Sequence, residues 1–81
     1  MDAVKGLIVK AVAGRDDGGY FVITDTDGKY CFIADGKSRK LGSPKRKSIK
    51  HLRFTCDVTD LSDITDKKLR KVLSEYSHLT D

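Results

Sequence analysis

The N-terminal half of the chain alternates short apolar stretches with polar turns rich in glycine. Leu7 to Ala13 is apolar except for Lys10, and Tyr20 to Thr24 is aromatic and β-branched, which favours β-strands. Between them, Gly14 to Gly19 has no apolar residue and three glycines, so we predict a loop. Tyr30 to Ala34 has the composition of a third strand.

Turn residues divide the next part of the chain. Asp27-Gly28 between two apolar runs predicts a hairpin with a type I′ turn, which needs positive φ at both central positions. Asp35-Gly36 predicts another turn, into a fourth strand over Ser38 to Leu41. Gly42-Ser43-Pro44 ends that segment, because the residue before proline is restricted, and Ser48 to Leu52 is predicted as the last strand. Five short strands without crossover helices predict a mainly β fold, a small antiparallel barrel.

The pattern of apolar residues changes period near the C-terminus. Four apolar residues fall at i, i+3, i+4 and i+7, which is one face of a helix: Leu69, Val72, Leu73 and Tyr76. Thr65 is a suitable N-cap and Ile64 can pack on Leu69, so we predict a helix over Asp66 to Ser77. A helix this short is marginal alone. Its apolar face should therefore dock either on the barrel or on a partner protein.

These elements give one small domain in a chain of 81 residues. We divide it into a barrel over residues 1–56, a linker over 57–64 and a helical segment over 65–78. No apolar run reaches the roughly 20 residues of a membrane span, and the N-terminus lacks the pattern of a signal peptide. Cys31 and Cys56 show no paired spacing. We therefore expect a cytoplasmic protein with reduced thiols, monomeric when free and without a membrane association.

The charge is concentrated in the middle of the chain. The net charge is +4, but the 17 residues from Lys37 to Arg53 carry eight positive side chains and no acid. Eight like charges close together destabilise a compact fold unless a polyanion relieves the repulsion. A nucleic acid is the favoured partner; anionic lipid and an acidic protein surface remain alternatives.

Residues suited to catalysis or metal binding do not form a recognisable pattern. Asp16 and Asp17 stand beside glycines, where acids usually shape turns. His51, Cys31 and Cys56 lack the short paired spacing of a zinc site. No catalytic motif occurs. We expect neither an enzyme, nor a cofactor, nor a bound metal.

The segment from Ala13 to Ile23, AGRDDGGYFVI, resembles a KOW motif: a strand, glycine, an acid, glycine and a returning strand. Further similarity follows in the same order as in bacterial KOW-domain RNA-binding proteins, at Ile33–Gly36, Arg39–Leu41, Pro44–Lys47 and Lys50–Leu52. Those proteins in turn are similar to the large-subunit ribosomal protein fourteen group of archaea and eukaryotes. The similarity covers about Val4 to Leu52, with the helix from Thr65 to Tyr76 as a common companion.

This resemblance implies an SH3-like five-stranded barrel that binds RNA, with ribosomal RNA as the expected target. Relatives contact RNA through the loop between strands one and two and through basic loops beside it. Asp17 departs from the family, whose members often have lysine there, so this loop is less positive than usual.

The same loop suits RNA on physical grounds. Glycines let backbone N–H groups approach phosphate, and Arg15 can fork onto phosphate oxygens. Tyr20 borders the loop, where an exposed ring could stack on an unpaired base. The expected RNA-binding residues are Gly14, Arg15, Gly18, Gly19, Tyr20, Arg39, Lys40, Lys45, Arg46, Lys47, Lys50, His51 and Arg53. The alternative function is a protein-interaction module of the transcription or translation machinery, which would use the apolar helix face or a barrel edge.

Overall fold

The computed structural model describes residues 3–80. Five antiparallel strands form one sheet in the order β4-β3-β2-β1-β5, and a helix, α1, follows it. The elements are β1 (Leu7–Ala11), β2 (Tyr20–Thr26), β3 (Tyr30–Ala34), β4 (Lys45–Ser48), β5 (Leu52–Val58) and α1 (Asp66–Thr80), with 3₁₀ turns at Gly14–Asp16 and Ile49–His51. The mainly β class and the C-terminal helix are confirmed. Within residues 3–80, β4 and β5 do not pair with each other, so the closed barrel is not confirmed.

Both faces of the sheet are covered, which explains why the first two strands are almost continuously apolar. Alternate residues of a strand point to opposite faces. One face buries the larger cluster, composed of Leu7, Val9, Ala11, Phe21, Ile23, Cys31, Ile33 and Leu52. The other face packs Ile8, Val22 and Ala34 against Leu69 and Leu73 of α1. The helix is therefore a second layer of the same fold.

The helix begins where predicted and ends three residues later than predicted. The Thr65 hydroxyl accepts a hydrogen bond from the Lys68 N–H at 3.2 Å, which confirms the N-cap. Leu69 and Leu73 are buried on the protein's own sheet. Of the two docking surfaces considered for this helix, the sheet is the one observed. No helix within residues 3–80 combines the length and the apolar character that a membrane crossing requires.

The hairpin at Asp27-Gly28 is present, but its turn differs from the predicted type. The Asp27 N–H donates to the Tyr30 carbonyl at 3.1 Å, and the Asp27 carboxylate accepts from the Tyr30 N–H at 3.0 Å. Gly28 has a φ of +98°, whereas Asp63 is the one non-glycine residue with positive φ in the described part of the chain. A type I′ turn is therefore wrong, because Asp27 does not adopt the left-handed conformation that it requires.

The predicted fourth strand, Ser38 to Leu41, is wrong: this segment is a bend followed by a turn. The Asp35 carboxylate accepts hydrogen bonds from the Lys37 and Arg39 N–H groups and from the Ser38 hydroxyl. Such local bonds to an aspartate hold the backbone in a turn. The real fourth strand, β4, starts immediately after Pro44.

The predicted last strand, Ser48 to Leu52, is also wrong over most of its length. The Ser48 hydroxyl accepts from the Lys50 N–H, which starts the 3₁₀ turn at Ile49–His51. The strand, β5, begins only at Leu52 and continues to Val58. The connection to α1 therefore starts at residue 59, two residues later than the expected linker.

Candidate nucleic-acid interface

A groove lined mainly by cations lies between the first 3₁₀ turn, the loop that follows β3, and β4. It has a volume of about 450 Å³ and is lined by Gly14, Arg15, Asp16, Tyr30, Arg39, Lys45, Arg46, Lys47, Ser48 and His51. We call it the basic groove. Five basic residues expected from the sequence to bind RNA meet here, together with His51. Asp16 is the one carboxylate among the described residues that line it.

A second groove adjoins the first on the other side of Tyr30. It has a volume of about 440 Å³ and is lined by Gly28, Lys29, Tyr30, Ser48, Ile49 and Lys50. We call it the hairpin groove. Tyr30 and Ser48 line both grooves, so the two adjoin, and the hairpin groove adds Lys29 and Lys50 to the cations of the first. Lys50 was expected at such a surface, whereas Lys29 was missed because it lies outside the basic segment of the sequence.

Inside the basic groove, Asp16 is held between two cations. Arg39 donates from Nε to Oδ1 and from Nη2 to Oδ2, both at 3.2 Å. Lys47 Nζ lies 3.4 Å from Oδ2 and donates to the Ala13 carbonyl at 2.7 Å. The Asp16 and Lys47 side chains are only 9% and 8% exposed, and that of Arg39 is 30% exposed. We call these three residues the ion cluster.

The ion cluster determines the protonation of its carboxylate. Burial raises the pKa of Asp16, but the hydrogen bond and charge of Arg39, followed by those of Lys47, outweigh burial and hold the pKa below its ordinary value. The ammonium of Lys47 is used inside the protein. Lys47 was expected to bind RNA, but in this structure its side chain is only 8% exposed, so a phosphate would have to compete with Asp16 and the Ala13 carbonyl for its ammonium.

Arg46, the residue before Lys47, points the opposite way. Its guanidinium carbon lies 3.8 Å above the centre of the Tyr30 ring, and its Nη2 lies 3.8 Å from Oδ2 of Asp27. The Arg46 side chain is 57% exposed. We call Arg46 and Tyr30 the stacked pair. Tyr30 is not among the residues that the sequence indicated for RNA binding.

The loop that carries Arg39 is fixed to α1. Arg70 Nη1 donates to the Gly36 carbonyl at 2.7 Å, and the Asp66 carboxylate accepts from the Leu41 N–H at 2.8 Å. Gly36 has a φ of +76°, and a Cβ there would collide with the Asp66 backbone carbonyl. Only glycine fits this position without strain. The helix thus positions one wall of the basic groove.

The second half of the glycine loop lies elsewhere. Gly18, Gly19 and Tyr20 line a different groove, shared with α1. The Gly18 N–H donates to the Ala11 carbonyl at 2.8 Å, and the Gly19 N–H to the Asp16 carbonyl at 3.0 Å. Both amides donate within the protein, so a phosphate at either glycine would have to compete with these carbonyls.

Tyr20 is part of the interface between sheet and helix. Its ring packs edge-on against Tyr76, with centroids 5.3 Å apart, and its hydroxyl accepts from the Thr80 hydroxyl at 3.2 Å. Tyr76 in turn donates to Asp57 at 2.7 Å; this hydrogen bond, followed by burial, raises the pKa of Tyr76. Tyr20 is partly buried, and its ring and hydroxyl contact α1, so stacking of Tyr20 on a base stays a prediction.

Two other expected residues lie apart from both grooves. Lys40 and Arg53 are exposed, but neither lines the basic groove or the hairpin groove. Arg53 stands opposite Lys10 in the pairing of β5 with β1. The structure therefore concentrates part of the basic segment on one surface and distributes the remainder.

Candidate metal ligands do not gather at this surface. Within residues 3–80, no group of three or more histidine, cysteine or acidic side chains could hold a metal ion. Cys31 is buried in the larger cluster, and burial raises the pKa of its thiol. Cys56 is exposed on β5.

Comparison with known proteins adds no assignment: no protein-family model matches the chain, and no curated protein matches it significantly.

Proposed function

We propose that this protein binds RNA through the basic groove and the hairpin groove, with ribosomal RNA as the first target to examine. The observation that carries the proposal is the pairing inside the ion cluster. Asp16 is already neutralised by Arg39 and Lys47, so it does not offset the exposed cations around it. Those cations are Arg15, Lys45 and Arg46 in one groove and Lys29 and Lys50 in the other.

A surface of this kind suits a polyphosphate better than a small anion. The cations are spread along two adjoining open grooves, so they can contact successive phosphates of one strand. The resemblance to KOW-domain proteins supports the same proposal and adds the SH3-like barrel. The pairings of β1 with β5 and of β2 with β3 are irregular. Such irregularities support the barrel, because bulges bend strands and so help a sheet to curl.

Salt dependence of RNA binding tests the proposal. If the five exposed cations each neutralise one phosphate of single-stranded RNA, the logarithm of affinity falls against the logarithm of salt concentration with a slope of about −3.5. Fluorescence anisotropy of a short labelled RNA, titrated at several salt concentrations, measures this slope. Arg15→Ala should make the slope shallower by about 0.7.

Lys71→Ala is the matched control, because Lys71 is an exposed cation on α1 that lines neither groove. It removes the same charge and should leave the slope nearly unchanged. Binding that ignores salt, or equal effects of both substitutions, would contradict the proposal. Co-sedimentation with ribosomal subunits at low and high salt then tests the ribosomal target.

The alternative function is a protein-interaction module that uses the apolar helix face or a barrel edge, and the helix face has less support. Leu69 and Leu73 are buried against the sheet, so a partner could reach them only by displacing the helix.

A further inference from the structure

The stacked pair has a geometry that a simple phosphate contact does not require. In the pairing of β3 with β4, Arg46 stands opposite Phe32 and Ser48 opposite Tyr30, so Arg46 reaches Tyr30 diagonally across the two strands. Long and aromatic side chains interact over such a diagonal. Tyr30 covers one face of the guanidinium at 3.8 Å, and Asp27 lies near its edge. These two contacts favour a guanidinium that lies flat on the ring.

The opposite face of this guanidinium is the feature that points to a ligand. With Tyr30 beneath it and 57% of the side chain exposed, Arg46 presents a planar, cationic surface to the solvent. Nucleobases stack on guanidinium planes and on aromatic rings, and such stacking accepts any base because every base has a π-face.

The surroundings fit a nucleotide chain that passes over this platform. Tyr30 belongs to both grooves, so the stacked pair shares one groove with Lys45 and adjoins the groove that Lys29 and Lys50 line. A strand whose base rests on Arg46 would place its flanking phosphates near these lysines. Bases inside a continuous duplex remain stacked on each other and cannot offer a face in this way.

We infer that the solvent face of Arg46, stacked on Tyr30, is a platform for an unpaired base, so that the ligand is single-stranded or looped RNA and not a continuous duplex. This inference rests on the proposed function and assigns the class of RNA. It also transfers the stacking role expected at Tyr20 to a pair of residues on β3 and β4.

The experiment uses an oligouridylate with one central 2-aminopurine, whose fluorescence is quenched when the base stacks. The protein contains no Trp, so the probe can be excited without exciting the protein. Wild-type protein should quench the probe on binding and should bind the single strand more tightly than a duplex of equal length. Arg46→Lys keeps the charge but removes the plane. It should lose the quenching and weaken binding about tenfold, with the salt slope unchanged.

Lys45→Ala is the matched control on the same strand. It removes a charge from the groove that the stacked pair lines, and should make the salt slope shallower by about 0.7 while the quenching persists. Because Lys45 and Arg46 are both exposed, neither change should alter the melting temperature measured by circular dichroism.

Three outcomes separate the inference from the proposed function. If Arg46→Lys binds and quenches like wild type, the platform is wrong while RNA binding stands. The same conclusion follows if wild type binds the duplex as tightly as the single strand. If wild type binds neither RNA at low salt, the proposed function fails, and the platform fails with it.

Discussion

Lys47 and Arg46 are neighbours in one short basic strand, yet they belong to two different regions of the molecule. Lys47 lies in the ion cluster, where its ammonium contacts Asp16 and the Ala13 carbonyl. Arg46 lies in the stacked pair, where its guanidinium rests on Tyr30 and faces the solvent. Adjacent side chains of a strand point to opposite faces. Strand geometry therefore makes one of these cations structural and leaves the other available to a ligand.

The two regions also differ in how they respond to the loss of a partner. In the ion cluster, the charges are largely removed from water, so an unpaired member would be costly. In the stacked pair, water reaches the guanidinium, so its interactions contribute little to stability. Substitutions in the ion cluster should therefore act on folding, whereas those in the stacked pair should act on binding.

The largest effect should come from Asp16→Ala, which leaves Lys47 buried without its counter-charge. We expect the free energy of unfolding to fall by about 3 kcal/mol, measured by urea denaturation. Asp17→Ala is the matched control in the same loop, since Asp17 is exposed. It should change stability by no more than about 0.5 kcal/mol. Equal small effects of both substitutions would show that the ion cluster does not stabilise the fold.

A smaller loss should follow Lys47→Met, because Asp16 keeps both hydrogen bonds from Arg39. The Ala13 carbonyl loses its donor, and we expect a cost of about 1–2 kcal/mol in urea denaturation. Lys45→Met, two residues earlier on the same face of β4, makes the same chemical change at an exposed position and should be nearly neutral. If Lys45→Met were the more destabilising, the division between the two regions would be wrong.

Acid should gradually reduce the contribution of the ion cluster to the stability of the fold. An aspartate in an unfolded chain has a pKa of about 4. In the folded protein the pKa of Asp16 lies below that value. The contribution of Asp16 to the free energy of unfolding is therefore present above about pH 4 and is lost as the pH falls through the lowered pKa. Hydrogen bonds from Ser62 lower the pKa of Asp60, so protonation of Asp60 in acid also lowers the free energy of unfolding.

Comparing wild type with Asp16→Asn isolates Asp16, because Asp60 is the same in both proteins. The difference in unfolding free energy should be greatest near neutral pH and should shrink below about pH 4. A difference that stays constant down to pH 2 would exclude linkage to Asp16.

The sequence predicted the elements whose signals are local. The alternation of apolar strands and glycine turns located β1, β2 and β3, and the helical period with Thr65 located the start of α1. It misplaced β4, because the inward-facing residue of this strand is Lys47, so no apolar alternation marks it. It also predicted a strand over Ser38 to Leu41. The Asp35 carboxylate accepts hydrogen bonds from Lys37, Ser38 and Arg39, and such bonds favour a turn over a strand.

The sequence predicted that the candidate surface is rich in cations, but it predicted only part of how these residues are arranged. The cluster of cations indicated the basic segment, but Asp16 is 23 positions from Arg39 and 31 from Lys47. No local spacing could identify that pairing. For the same reason, the sequence offered Tyr20 as the stacking residue: the packing of Tyr76 against it depends on how α1 folds back onto the sheet.

The position of β4 at the margin of the sheet has a consequence for handling the protein. Within the described residues this strand pairs with β3 alone, so its other side offers unpaired backbone groups to a second molecule. Lysine and arginine on such a strand oppose self-association between sheets. Removing Lys45 and Arg46 together to abolish binding would also remove this protection and invite aggregation. Charge-preserving or single substitutions are therefore the safer probes of this surface.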